Sequence, residues 1–273
     1  MRLALLLAVA LLTGCTPRSD DSSAAPSTPE PTSESPSATV ETVPPDPGPT
    51  PKVGECHALS FGQAIAVDGR TAPVSCRRKH TAQTYFVGRL RLETPAGNTR
   101  LVDSVAAQRQ ARTTCTARLP RHLGVDPREL RLKMVQAVWF TPSAKRAEAC
   151  ADWFRCDLVV VAAPKKLLQL PRRTKGSGDA PTLAMCATAE PGTRAFTRVT
   201  CGAQHTWVAV STVDIPGRKL PVQGAIADRM DPVCRDAARS RASDPLSFTW
   251  SQESPTREQW GAGQRYGICW APA

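Results

Sequence analysis

Nine cysteines follow residue 50 of this 273-residue chain, at 56, 76, 115, 150, 156, 186, 201, 234 and 269. With Cys150 set aside they form two quartets, spaced 20, 39 and 41 residues in the first and 15, 33 and 35 in the second. Each second-quartet spacing is five or six shorter than its counterpart, so order and proportion are kept. Other landmarks repeat in step. VSCRRKHT (74–81) and VTCGAQHT (199–206) share Val, a hydroxyl residue and Cys-x-x-x-His-Thr. PSAKRAEACADWFRC (142–156) overlies PTREQWGAGQRYGIC (255–269) without a gap, with Trp153 and Tyr266 three positions before the last cysteine. Trp139 and Trp250 precede these segments by a few residues. The pattern reads as one unit of roughly 90–110 residues written twice.

Secondary structure follows the same division. After each Cys-x-x-x-His comes an extended run, TYFVGRLRL (84–92) and TWVAVSTVDI (206–215), rich in β-branched and aromatic residues. In LVDSVAAQRQARTTCTARL (101–119), Val102, Val105, Ala106 and Arg109 are spaced for one side of a helix that carries Cys115 further along. Val222, Ile226 and Met230 do the same in 220–240, with Pro232 expected to turn or kink the chain. RCDLVVVAA (155–163) reads as a further strand. The class implied is α+β: two tandem small domains, 53–163 and 182–273, each an antiparallel sheet with one packed helix. PKKLLQLPRRTKGSGDAP (164–181) joins them as a cationic linker.

The first residues set the compartment. Arg2 and an apolar run from Leu3 to Leu12 precede Thr13, Gly14 and Cys15. The run is about half of the ~20 residues a membrane-spanning helix needs, so 1–14 reads as an export signal. Leu12-Thr13-Gly14-Cys15 resembles the lipobox of bacterial lipoproteins, which implies cleavage before Cys15 and diacylglycerol on its thiol. Two acyl chains give stable anchoring where one gives only marginal residence. Residues 15–52 then form a Ser/Thr/Pro tether, with 10 of the 25 prolines and no aromatic residue. It cannot bury enough apolar surface to offset its ordering entropy. As a flexible coil it spans roughly 35 Å. The expected location is the extracytoplasmic face of the membrane, held by lipid.

Charge divides along the chain as well. Residues 53–273 carry 32 basic and 18 acidic residues, a net charge of +14, against −4 for 16–52. Such a body steers toward anionic partners. In an envelope these are acidic wall polymers or lipid headgroups. Nucleic acid is excluded as a partner by the compartment and by the lack of an aromatic-basic recognition motif.

An exported chain with repeated even quartets points to disulfides among Cys56, Cys76, Cys115, Cys156, Cys186, Cys201, Cys234 and Cys269. Each quartet allows three pairings. First-with-second and third-with-fourth is the expected one: it closes the loops that differ most freely in length and fixes each helix to its last strand. A zinc site through Cys76/His80 and Cys201/His205 is the rival. The following residues look extended and no CxxC spacing is present, so no metal or other cofactor is expected. His80 and His205 are read as structural, semi-buried imidazoles at the strand entrance, bonded to backbone or to a carboxylate. Cys150 is the odd thiol, with Gly263 at its place in the second unit. No base lies near it in sequence, and no G-x-S-x-G, phosphate loop or HExxH is present, so the chain is not expected to be an enzyme. Asp152 and Asp157 flank Arg155 and read as paired or solvated charges.

In KVGECHAL, VSCRRKHTAQTYFVGRL and WFRCDLVV the chain resembles the actinobacterial septum-formation family, whose members show a V-G-[DE]-C start and a Cys-x-x-x-His element before a strand. Their helix also carries a cysteine, and the domain ends on an aromatic–Cys pair. The likeness is close over 53–161 and looser over 182–270, where TLAMC replaces the V-G-E start. It implies a role in septum formation or cell-wall processes as a binding or scaffolding module, with a division protein or an anionic wall polymer as partner.

Overall fold

The computed structural model describes residues 46–273 except 68, 70 and 95. The export signal 1–14, Cys15 and the tether up to residue 45 lie outside the described residues. In the first half the elements run β1 (Cys56–His57), α1 (Phe61–Ala64), β2 (Ala82–Arg89), α2 (Val105–Leu123), α3 (Pro127–Leu130), β3 (Val135–Phe140), α4 (Ala144–Glu148) and β4 (Trp153–Ala163). Then come β5 (Lys166–Leu167), β6 (Met185–Ala187), β7 (Arg198–Thr200), β8 (Trp207–Asp214), α5 (Gln223–Arg239), β9 (Ser251–Glu253), α6 (Arg257–Gly261) and β10 (Tyr266–Pro272).

Two antiparallel five-stranded sheets result, and the α+β class is as expected. The first has the order β1-β2-β4-β3, with β5 paired to the end of β4; the second has β7-β6-β8-β10-β9. The run β6-β8-β10-β9 repeats the order β1-β2-β4-β3. The inner strands β4 and β10 each carry a long hydrogen-bonded neighbour, β2 and β8. The strands β3 and β9 close the other side, and the sequence reading had left both unassigned.

One long helix packs on each sheet. Along α2 the buried residues Ala107, Ala111, Cys115, Leu119 and Leu123 come one every fourth position, and Pro120 in the last turn is buried beside them. Along α5 they are Ile226, Met230, Cys234 and Ala238, with the same spacing. Residues four apart share a helix face, so each helix lays a single stripe on its sheet. The face expected for α2 is corrected by this. Val105 is 75% exposed, Ala106 and Arg109 are exposed, and Val102 is buried ahead of the helix. Cys115 sets the phase: counting back in fours from it gives Ala111 and Ala107. Pro232 also departs from expectation, because α5 runs through it. Packing of Ile226 and Met230 before it and the Cys234 bridge after it hold both sides in one helix.

The bridges join Cys56 to Cys76, Cys115 to Cys156, Cys186 to Cys201 and Cys234 to Cys269. In each half the first closes the Cys-x-x-x-His loop onto the opening strand, and the second ties the long helix to the inner strand. Cys150 was expected to be the thiol left over; it is disulfide-bonded. The backbone at Cys150 has φ +64°, and Gly263, its counterpart, has φ +101°. Both follow a short helix capped by a hydroxyl, from Ser143 to Arg146 N and from Thr256 to Gln259 N. Both donate their N–H to the third residue back, Ala147 or Trp260. A left-handed turn is free for glycine and costs a β-carbon residue roughly 1 kcal/mol.

The two halves share one core. Leu158 and Val160 of β4 belong to the same buried cluster as Leu183, Met185, Trp207, Ile268 and Trp270. Met134 N–H donates to Leu183 O at 2.8 Å and Met185 N–H to Leu132 O at 2.9 Å. At the rim, Arg131 and Arg128 reach Asp214 at 2.6 and 3.1 Å, and the Arg131 guanidinium lies over the Tyr266 ring. Residues 164–181 join the halves while packed against the first. Leu170 and Thr174 are buried, and the N–H groups of Leu168, Leu170, Gly176 and Gly178 donate to Val160, His80, His122 and Leu123. Gly178 is required there, since a Cβ would stand 2.1 Å from Val125 Cγ1 and 2.9 Å from Leu123 O.

The second-half bridge closes a loop of 35 residues. Replacing Cys234 and Cys269 together by Ser is expected to lower unfolding stability by about 4 kcal/mol on the chain-entropy account. Urea unfolding of variant and parent without reductant measures this, and a change under about 1 kcal/mol contradicts it.

Candidate functional site

The repeated Cys-x-x-x-His-Thr frames do one structural job in both halves. His80 Nδ1 lies 2.9 Å from Arg78 O, and His205 Nδ1 lies 2.8 Å from Ala203 O, so each ring closes a turn on its own backbone. The next residue ties that turn to the opening strand. Thr81 donates from N to His57 O and from Oγ1 to Leu59 O; Thr206 donates from N to Ala187 O and from Oγ1 to Thr188 O. His80 is buried and His205 half-buried. Around His205 the ligand atoms of Cys186, Cys201 and His205 lie within 4.8 Å of one another. The two sulfurs are bonded to each other, which leaves no thiolate for a metal.

What differs between the frames is the loop. The first holds Arg77, Arg78 and Lys79; the second holds Gly202, Ala203 and Gln204. The basic loop faces a second basic run, Arg172-Arg173-Thr174-Lys175, across a groove of about 650 Å³ lined by Ser75, Cys76, Arg77, Arg172 and Arg173. Gln83 of β2 brings the walls together. Its Nε2 donates to Arg172 O at 3.1 Å, and its Oε1 accepts from Thr174 N at 2.9 Å and from Thr174 Oγ1 at 2.6 Å. Thr174 Oγ1 also meets His122 Nε2 at 2.8 Å, while the His122 ring stacks on Tyr85. The six cations are exposed, and among the described residues none of them has an acidic partner within ion-pair distance.

A separate polar cluster is sealed inside the first sheet. His57 Nδ1 lies 3.2 Å from Thr71 O, and its Nε2 lies 3.4 Å from Thr84 Oγ1. Thr84 donates to Asp157 Oδ1 at 2.7 Å across the β2–β4 pair. Arg155 Nε faces Asp157 Oδ2 at 3.2 Å, and neither atom has a well-aligned hydrogen bond among the described residues. The Arg155 guanidinium also lies over the Phe140 ring. Burial pushes the Asp157 carboxyl up to about 6, against the pull of Arg155 and the Thr84 bond. Burial and then the charge of Arg155 push His57 down to about 4. Arg155 is lowered by its own burial. His57, Thr84 and Asp157 are at most 1% exposed, so the cluster is closed to solvent. Asp152, the other acid weighed from sequence, pairs with Arg89 at 3.6 Å on the surface.

A family model described as septum formation matches residues 53–269, which is most of the chain and all but the edges of the folded body. The chain belongs to the septum-formation family. No curated protein and no solved structure matches it significantly. The single match runs across both halves of this septum-formation protein, as does its core. The family is not one known for an enzymatic activity.

Of the residues singled out from sequence, the eight quartet cysteines and both histidines hold the loops and helices of this septum-formation protein in place. Cys15 lies outside the described residues. The groove was not read from sequence, although its two basic runs stand in plain view at 77–79 and 172–175. Their meeting depends on Gln83, an uncharged residue three positions after His80.

The buried pair makes a prediction about acid. Asp157 is raised from 3.8, so its contribution to stability is complete below about pH 4 and lost as pH rises through about 6. His57 is lowered from 6.5, so its contribution is complete above that pH and lost as pH falls through about 4. Between about pH 4 and 6 the two slopes oppose each other. His57→Gln removes one of them. Relative to the parent, this variant is expected to gain stability as pH falls from 6.5 to 4, as read by urea midpoints; parallel pH profiles contradict the assignment.

Proposed function

We propose that this septum-formation protein is a lipid-anchored, non-catalytic envelope protein that acts on the extracytoplasmic face of the membrane as a binding or scaffolding module. The observation that carries this is the burial of its acid–base groups. His57, Thr84, Asp157 and Arg155 are spent inside the sheet, while Arg77, Arg78, Lys79, Arg172, Arg173 and Lys175 are exposed and without an acidic partner among the described residues. The disulfides suit a non-reducing compartment, and Arg2, the apolar run and Cys15 supply export and attachment. No helix among the described residues is long and apolar enough to cross a membrane. Two units fixed on one core present a rigid body at the end of a tether, as a scaffold requires.

A second reading is favoured by the charge: direct capture of anionic wall polymer by the basic body, +14 over 53–269 and its flanks to residue 273. Co-sedimentation with isolated walls is then expected to weaken steadily with added salt, since exposed charges are screened within about 8 Å at physiological ionic strength.

Attachment and place are tested together. Labelled fatty acid is expected to enter the parent chain and to be absent from Cys15→Ser. A fluorescent fusion is expected to gather at division septa. Uniform distribution around dividing cells overturns the septal role, and label retained by Cys15→Ser overturns the anchor.

A further inference from the structure

The groove between the Cys76 loop and the connecting segment carries more than general basicity. We propose that it is a binding site for consecutive phosphate groups of a linear, phosphate-bearing polymer. This deepens the polymer-capture reading and rests on it.

Three guanidiniums line the groove from opposite sides, Arg77 on one wall and Arg172 and Arg173 on the other, with no acidic residue in the lining. A guanidinium donates in a planar fork, and a carboxylate holds its roughly four lone-pair sites in a single plane, so forks that bind it lie in that plane. An internal phosphate of a polymer keeps two charged oxygens, set above and below the plane of its two bridging oxygens, so each can face one wall of the groove. Arg78, Lys79 and Lys175 continue the positive charge beyond the lining, which suits a ligand whose charges repeat along a chain. A volume of about 650 Å³ holds more than one phosphate.

The walls are also fixed before any ligand arrives. The Cys56–Cys76 bridge holds one, and Gln83, bonded to Arg172 O and Thr174, holds the other. The loop turn is closed by Arg78 N–H on Ser75 O at 2.8 Å, and Leu170 N–H on His80 O ties loop to segment. A site ordered in advance avoids the entropy cost of ordering on binding. The corresponding loop of the second half has the same backbone frame and no cation, so the fold does not demand these charges. The concave shape favours a polymer strand over a bilayer, which presents its headgroups as a plane.

The test uses the full mature chain in detergent, with fluorescent linear inorganic polyphosphate as probe. Arg172→Gln/Arg173→Gln is compared with Arg194→Gln/Arg241→Gln, which removes the same charge from exposed positions of the second half. The groove variant is expected to weaken binding at least about tenfold and the control less than about twofold, as for charge-assisted contacts at a defined site. All four arginines are exposed, and circular dichroism checks that both variants fold. Equal losses overturn the groove and leave capture by the whole basic surface standing. No binding of polyphosphate or of isolated walls by the parent overturns both. Polygalacturonate bound as tightly at equal charge overturns phosphate selectivity. Phosphatidylglycerol vesicles that displace polyphosphate, where phosphatidylcholine vesicles do not, move the site to a membrane surface and overturn the polymer.

Discussion

In each half one sulfur bridge between the long helix and the inner strand decides the rest of the packing. Cys115 and Cys234 sit in the middle of their buried stripes, and Cys156 and Cys269 sit on strands with hydrogen-bonded neighbours on both sides. A covalent link at that point fixes the rotation of the helix about its axis and its position along the sheet. It also allows small residues in the stripe. Ala107 and Ala111 contribute little apolar area, and a helix held only by such residues would slide or lift. In α5 the same link lets a helix with Pro232 in its interior remain one element.

Fixing the helices frees other surfaces to meet. β4 shares a core cluster with side chains of β6, β8 and β10, so the halves behave as one object joined along their sheets. The segment between them therefore has no need to be a spacer. It lies along the end of α2, threads Gly178 past Leu123, and delivers two arginines to the edge of the Cys76 loop. Hydrogen bonding supports this placement well: Gln83 is buried and uses both ends of its amide, which satisfies polar groups that would otherwise be costly to enclose.

Much of this architecture is legible in the sequence because cysteine spacing is a covalent record. The quartets give the pairing, the extended runs after His80 and His205 give β2 and β8, and RCDLVVVAA gives β4. β9 has only three residues, and VQAVWF of β3 has no clean polar–apolar alternation, so only the tryptophans at 139 and 250 mark the region. The phase of α2 departs from expectation because Val105, apolar as a core residue would be, falls in the first turn, where the helix end faces solvent. Cys115 would have given the correct phase. Pro232 was given too much weight as a breaker, since tertiary contacts on both sides outweigh its local cost. The groove stayed hidden because its walls are some 90 residues apart and are joined by one amide side chain.

The position of β1 has a mechanical corollary. This strand has only two residues, and it is the first strand met by any pull arriving from residue 46. Cys56 within it is bonded to Cys76, beyond the loop, so tension cannot peel the strand away and unravel 57–75 without breaking a covalent bond. Load passes instead into the loop and through Thr81 into β2, a strand of eight residues paired along most of its length with β4. Traction arriving from the amino-terminal side would thereby fall on the long β2–β4 pair, while the two-residue strand is spared.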